Sequence, residues 1–452
     1  MTSEAPPQIV EEGGTRLHFA GAVFDGPRSA RAITAAVLLF AMCLATPAHA
    51  QSQDQLFDDT TLRDIQLTLS QRDWDDLRAR ADENTYYTAD LRWNGVTARN
   101  LGIRSRGNST RNGVKPGLRL DFNRYLSDQV FLGLKALVLD NGWTDPSTMR
   151  EISSMKLFAR AGLPVPREAH VRLFINGTYA GLYVAIEPID RTFITRVFGA
   201  AEGQVETGGY LYEYKWIREW HFEDLGDELE TYAGMFEPKT RETDAASRLY
   251  APIAELVHLA NTVPPERVET EVGAKIDLAQ LVRYLAIQAV AGEIDGFTGN
   301  WGMSNFYLYR FRDGRPAQLI PWDADHAFWE VDRPIDQNLD LNVLARRALE
   351  VPALRQLYLQ TIVDMASTMA QGGDDDGAGW LELQTRRLES KVAAAAAADP
   401  VTPFSFDEFE SNTASLRGVI RGRPPALACQ ARNLLDPDLS TPCPDPVATE
   451  IR

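Results

Sequence analysis

The run that decides the fold is Gly292–Phe328, GEIDGFTGNWGMSNFYLYRFRDGRPAQLIPWDADHAF. It follows an apolar helical stretch, LVRYLAIQAVAGEI, and opens with an acid in a loop, Asp295. Two asparagines follow, Asn300 and Asn305. FYLYR and AQLIPWD then read as two strands, turned by Asp313-Gly314. A hairpin brings its ends together, so Asn305 and Asp323 are expected to be neighbours. An amide oxygen beside a carboxylate is a hard-oxygen pair suited to Mg²⁺. Asp325 and Asn300 are further candidate ligands, and Asp295 is the candidate general base for a substrate hydroxyl. The plainer alternative is that Asp295 caps a turn and the other polar groups tie loops to backbone. Taken together, the group points to phosphoryl transfer.

Upstream, the chain reads as mostly strand. IQLTLSQRDWDDLRARA gives a strand and then a helix opening at Ser70. Asn94-Gly95 and Asn176-Gly177 mark two hairpins. KPGLRLDF alternates, with Leu118, Leu120 and Phe122 on one face and Lys115, Arg119 and Asp121 on the other. The helix in DPSTMREISSMKLFARAGLPVP is expected to be capped by Asp145 or Ser147, with Pro146 in its first turn. The loop Arg106-Gly107-Asn108-Ser109-Thr110 offers a guanidinium, a glycine and hydroxyls, a set able to cover phosphates. Lys115, Arg119 and Arg150 are candidate phosphate contacts, each with a surface-charge alternative. Glu187 ends an apolar strand where a connector is expected, and is a candidate to read a nucleotide base. Downstream, helices are expected at 245–262, 278–291, 342–370, 381–398 and 406–426, interrupted by the hairpin at 305–322.

Composition narrows the function. The 452-residue chain carries a formal net charge of -17. That disfavours nucleic acid as a partner, because binding it relies on basic neutralisation of phosphates. Arg28 and Arg31 precede AITAAVLLFAMCLATPAHA, whose Ala48 and Ala50 give a secretory cleavage pattern with the cut after Ala50. The apolar run is short for a membrane span, so none is expected in the mature chain; the alternative is an uncleaved anchor. Cys429 and Cys443 suggest one disulfide pinning the C-terminal tail.

The ordered set LGIRSRGNSTRNGVKPGLRLDFNRY, FLGLKALVL, DPSTMRE, LFARAGLPVPR, INGTYAGLYVAIEPID, FEPKT, GNWGMSNFYLYR and IPWDADHAF resembles the CotH kinase family. The resemblance runs from about Leu56 to Phe328, with an echo in FSFDEFESNTASLR near the C-terminus. It implies an atypical protein-kinase-like fold that phosphorylates serine on exported proteins with ATP and a divalent metal. Carried over, Asp295 becomes the catalytic base, and Asp323 and Asn305 the metal ligands. Lys115 becomes the phosphate lysine and Arg106 part of the phosphate cradle. Strand with lysine, helix, hairpin, connector, helical lobe, catalytic loop, hairpin and metal aspartate is also the kinase order of elements. The chain departs from ordinary kinases in lacking G-x-G-x-x-G and H-R-D. Asn305 stands ten residues after Asp295, where ordinary kinases use five, the spacing of Asn300. Glu151, on the following helix, is the candidate partner of Lys115.

The expected architecture is α+β and two-lobed. Residues 1–50 form the leader, 51–55 a linker, 56–187 a β-rich lobe, 188–436 an α-rich lobe and 437–452 a tail. The expected function is an exported kinase acting on serine or threonine of secreted, periplasmic or envelope proteins with ATP and Mg²⁺ or Mn²⁺. The alternatives are a non-catalytic envelope scaffold and a metal-dependent hydrolase using Asp295, Asp323 and Asp325.

Overall fold

The computed structural model describes residues 51–205, 207–372, 376–436, 438 and 442–443; the leader therefore lies outside the described residues. Seven strands close into a barrel: β1 (Arg63–Thr68), β2 (Tyr87–Trp93), β3 (Val96–Arg106), β4 (Gly117–Asp121), β5 (Ala136–Asp140), β6 (Glu168–Ile175) and β7 (Thr178–Ile186). Their order is β1-β2-β3-β4-β5-β7-β6. Neighbours are antiparallel except β1 and β6, which run parallel from Arg63 opposite Val171 to Leu67 opposite Ile175. That pair closes the ring and removes the free edges an open sheet would present.

The local reasons are in the chain. Asn94 and Gly95, and Asn176 and Gly177, all have positive φ, as the tightest hairpin turns require. Ser70 caps the helix α1 (Gln71–Ala79) by accepting from the Asp73 N–H. Leu67, Leu91, Ile103, Leu118, Leu120, Leu137 and Leu139 fill the barrel core. β5 and β7 bury both faces, which is why ALVLD and GLYVAI read as continuous apolar runs. Leu139, Tyr183 and Ala185 face the barrel core, whereas Val138, Leu182, Val184 and Ile186 belong to the second core. β4 departs from the one-sided face expected of it: Lys115 and Asp121 are buried along with Leu118 and Leu120, because the rest of the chain covers the barrel there.

The second core holds the α-rich half. α2 (Arg150–Arg160) leaves the barrel and packs on α5 (Leu278–Ala291). α2 begins later than expected, leaving Pro146 outside it. Asp145 still serves its start, because Oδ2 accepts from the N–H groups of Met149 at 2.8 Å and Arg150 at 2.9 Å. α3 (Arg191–Phe198) follows the barrel and is capped by Asp190. β8 (Tyr210–Tyr214), β9 (Phe236–Pro238), β10 (Phe306–Arg310) and β11 (Gln318–Pro321) form a second sheet in the order β11-β10-β8-β9. The 305–322 hairpin is thus part of a four-stranded sheet inside the helical half. α4 (Ala251–Thr262) precedes α5. The single helix expected over 342–370 is two, α6 (Val343–Leu349) and α7 (Pro352–Ala370), because Pro352 has no N–H to continue the first and starts the second.

α8 (Trp380–Ala397) packs on α9 (Phe406–Leu435). α9 runs past its expected end at Ala426, straight through Pro424 and Pro425. Burial of Pro424, Ala426 and Leu427 offsets the lost backbone bonds. Cys429 and Cys443 form a disulfide, as expected, with Cα atoms 5.5 Å apart. Among the described residues no helix is long and apolar enough to cross a membrane.

Candidate active site

α5 is apolar nearly all round and buried along most of its length, as befits a helix in the middle of a core. Gly292 ends it in the left-handed region at φ +65°, and the N–H groups of Gly292 and Glu293 fold back on the last turn. The remaining carbonyls find a cation. Arg423 of α9 donates from Nε to the Val290 oxygen at 2.6 Å, and to the Ala289 oxygen through Nη2. Its Nη1 reaches the Glu330 and Val331 oxygens at 3.1 and 3.0 Å. One fully buried guanidinium therefore ties the helix end to the segment that follows Asp325.

Backbone bonds draw the same two segments together: Ile294 N–H donates to His326 O at 3.2 Å and Phe328 N–H to Ala291 O at 2.8 Å. Between them stand the acids. The Asp295 N–H donates to Glu293 Oε1 at 2.8 Å. Asn305 donates from Nδ2 to Asp295 O at 2.8 Å and to Asp295 Oδ2 at 3.1 Å. Phe306 pairs with Pro321, so Asn305 and Asp323 stand at the two feet of the β10–β11 hairpin. Both lie in the left-handed region, at φ +55° and +54°, a conformation that Asn and Asp adopt more readily than other side chains.

The barrel meets this foot from the other side. Asp140 ends β5, and Arg106 ends β3 with Nη1 3.6 Å from Asp140 Oδ2. The Arg106 guanidinium also lies 5.6 Å from the Trp322 ring. Thr144 donates from Oγ1 to Asp325 Oδ2 at 2.6 Å. Burial, with the charges of Asp140 and Asp295, pushes the Asp323 carboxyl up to about 6 against the opposing pull of Arg106. Burial and the charge of Asp323 raise Asp325 well above the carboxylate range. Burial also raises Asp295, opposed by His326 and the Asn305 hydrogen bond. Asp140, Asp295, Asp323 and Asp325 thus share one electrostatic neighbourhood.

The remaining sequence candidates have specific partners. Lys115 is buried, with Nζ 2.9 Å from Asp399 Oδ2. Arg119 donates from Nε to Asp121 Oδ1 at 2.9 Å, and its charge, like that of Arg106, acts on Tyr307 of β10. Arg150 donates from Nη1 to the Ala327 and Phe328 oxygens at 2.7 and 2.8 Å and stacks 3.7 Å from the Trp329 ring. It grips the backbone just past Asp325. Glu187 is fully buried, and both its oxygens accept from Arg167 and Arg196. Asn300 Oδ1 accepts from Arg333 at 3.0 Å and Asn338 at 3.1 Å. Glu151 lies in a wholly buried setting beside Glu168, where burial and that neighbour push it well up.

Asp140, Thr144, Glu293, Asp399 and Arg423 are absent from the sequence candidates. Asp140 had a signal: it ends an apolar strand, as Asp323 does. Glu293 also had one, standing two residues before Asp295 at a helix exit. With Gln288, Asn305, Trp322 and Ala324 it lines a small cavity behind the hairpin foot. Among the described residues no group of three His, Cys, Asp or Glu side chains is arranged to hold a metal ion by itself.

The family model described as CotH kinase protein matches residues 103–371, more than half of the chain. The chain is also similar to inner spore coat protein H of Bacillus subtilis (strain 168), at 26% identity over 236 residues. That similarity covers 51% of this chain and 59% of the length of the relative. Asp295, Asn305 and Asp323 fall inside the matched segment, whereas Asp399 and Arg423 lie beyond it.

Proposed function

The chain belongs to the CotH kinase protein family, and on that premise we propose that it is an exported protein kinase. It moves the γ-phosphoryl group of ATP to a serine or threonine hydroxyl of a secreted, periplasmic or envelope protein. The observation that carries this reading is Asn305, which is hydrogen-bonded to Asp295 and shares the foot of one hairpin with Asp323.

A divalent cation, Mg²⁺ or Mn²⁺, fits these residues. Four carboxylates, those of Asp140, Asp295, Asp323 and Asp325, stand in mutual influence with Arg106 opposing them, a charge excess that a cation offsets. Asp323 and Asn305 Oδ1 would hold it. Mg²⁺ needs only one or two carboxylates when phosphate oxygens and waters complete its shell, which agrees with the absence of a three-acid cluster among the described residues. When bound, the ion neutralises charge on the phosphates.

Asp295 takes the proton from the acceptor hydroxyl at the carboxylate oxygen that Asn305 leaves free. The oxygen–phosphorus bond to the acceptor forms as the bond to the β-phosphate oxygen breaks, and ADP departs. Arg106, Arg119 and Lys115 offset phosphate charge. Asp325 is held by Thr144 and acts through the shape of the hairpin foot. Arg150 holds the backbone behind it. Glu187, braced by two arginines, fixes the end of β7, where the barrel passes into the helical half.

Export is supported by the leader pattern ending at Ala50 and by the Cys429–Cys443 disulfide, a bond that persists in oxidising compartments. The test is incubation of the mature chain with labelled ATP, Mg²⁺ or Mn²⁺ and an exported protein mixture. Labelling that depends on Asp295 supports the reading; equal labelling by wild type and Asp295→Ala overturns it.

The leader pattern ending at Ala50 favours one alternative, a non-catalytic envelope scaffold on the same fold, because ATP is scarce outside the cytoplasm. Calorimetric titration with Mg-ATP separates the two. A scaffold gives no heat of binding, whereas a kinase gives binding that Asp323→Ala abolishes.

A further inference from the structure

We propose that Asp399, in the turn after α8, is the positioning residue that holds Lys115 for the phosphate-binding role, in place of the candidate partner Glu151. The inference rests on the phosphotransfer reading given above.

The two residues are 284 positions apart, yet Lys115 Nζ donates to Asp399 Oδ2 at 2.9 Å, with side chains only 3% and 2% exposed. Asp399 is itself rigidly held by backbone donors. Its Oδ2 also accepts from Leu182 N–H at 2.9 Å, and its Oδ1 accepts from Val401 and Thr402 N–H at 3.0 and 3.1 Å. β7 is shaped to admit it. The β6–β7 register shifts between Leu173 and Phe174, opposite Gly181, and Gly181 has φ +126°. A Cβ there would lie 2.8 Å from both Asp399 oxygens.

Lys115 is fixed at its other end too. Its N–H donates to Asn112 Oδ1 at 2.9 Å, and its carbonyl accepts from Asn141 Nδ2 at 2.7 Å. Asn141 is the neighbour of Asp140, whose charge reaches both the Lys115 ammonium and Asp323. The Tyr183 ring lies 5.2 Å from Nζ. A buried lysine without a counter-charge gives up its proton, and a neutral amine cannot offset phosphate. Burial pulls the Lys115 pKa down, and the Asp399 charge and hydrogen bond oppose that while fixing where Nζ points. Glu151 makes no ion pair with Lys115 among the described residues and is buried beside a second acid, Glu168. The carboxylate therefore comes from outside the segment that the family model matches, residues 103–371.

The test compares the mature wild type with Asp399→Asn, Lys115→Met and the double variant. Mg-ATP affinity is read by calorimetry and thermal unfolding by calorimetric scan. Asp399→Asn is expected to weaken Mg-ATP binding about tenfold to a hundredfold, the range for a lost hydrogen bond to a charged group. In the Lys115→Met background the same change is expected to leave affinity unmoved. A merely structural Asp399 would lower the unfolding temperature and leave affinity unchanged, which overturns the inference while the kinase reading stands. Wild type that binds no Mg-ATP overturns both. Should Asp399→Asn fail to fold, Asp399→Glu decides. It keeps the charge but displaces Nζ, so the KM for ATP rises severalfold; an unchanged KM overturns the inference.

Discussion

Asn305 donates from one amide nitrogen to both the backbone oxygen and the carboxylate of Asp295, at 2.8 and 3.1 Å. The contact aligns the acid after α5 with the foot of the β10–β11 hairpin. Two segments with separate tasks, one to take a proton and one to hold a cation, become a single unit.

That unit implies a separation of effects. Asp295→Asn is expected to retain Mg-ATP binding while slowing phosphoryl transfer about 10²- to 10⁴-fold, the range for loss of a general base. Asp323→Asn is expected to lose metal-dependent nucleotide binding itself. Calorimetry and single-turnover transfer, run on both variants, check this; loss of binding in both would mean that the roles are not separate.

Arg150 is expected to matter for stability. Arg150→Met leaves the Ala327 and Phe328 oxygens buried without their donor, at a cost of about 2–5 kcal/mol. Arg150→Lys is expected to recover only part of it, because an ammonium does not reproduce the planar guanidinium over the Trp329 ring. Urea unfolding measures both.

Gly181→Ala is expected to destabilise the chain by about 1–3 kcal/mol, since φ is +126° and the new carbon meets the Asp399 carboxylate. Gly177→Ala, at φ +83° with nothing within 4 Å, pays only the backbone term and is expected to cost less. Equal losses in urea unfolding would contradict the close approach of Asp399.

Stability is expected to depend on pH through two neighbours on β6. Burial pushes Glu168 up from an ordinary 4.5 to about 8. The folded chain holds a proton there that the unfolded chain releases, so stability falls as pH rises from 4.5 to 8. Burial pulls His170 down from 6.5 to about 3. The unfolded chain binds a proton that the folded chain refuses, so stability also falls as pH drops from 6.5 toward 3. Each slope is about 1.4 kcal/mol per pH unit at most. The two oppose between 4.5 and 6.5, where the raised carboxyls of Glu151, Asp323 and Asp325 add to the fall with rising pH. Glu168→Gln is expected to flatten the alkaline limb in urea unfolding followed across pH; an unchanged limb would contradict the assignment.

Much of this was legible in the chain because the signals are local. Asn-Gly turns announce hairpins, and a hairpin places Asn305 beside Asp323 whatever surrounds them. What was not legible depends on distant packing. β1 pairs with β6 in parallel across about a hundred residues, so alternation and hairpin turns do not announce that the strands close into a barrel. Lys115 reads as one charge on a strand face, and nothing nearby announces a partner in the turn after α8. The helix expected at 406–426 runs on to Leu435, because its buried face outweighs the two backbone bonds that Pro424 and Pro425 cannot make. Arg423, the residue before Pro424, carries no local signal in the sequence, yet it is the cap of α5.

The most direct measurement is a crystal structure of the mature chain with Mn²⁺ and a non-hydrolysable ATP analogue, read from the anomalous signal of the metal. The expected result is a peak within bonding distance of an Asp323 oxygen and Asn305 Oδ1, touching phosphate oxygens, with the γ-phosphate facing Asp295. A peak away from the hairpin foot, or a nucleotide bound where Asp295 cannot reach its γ-phosphate, would contradict the shared site.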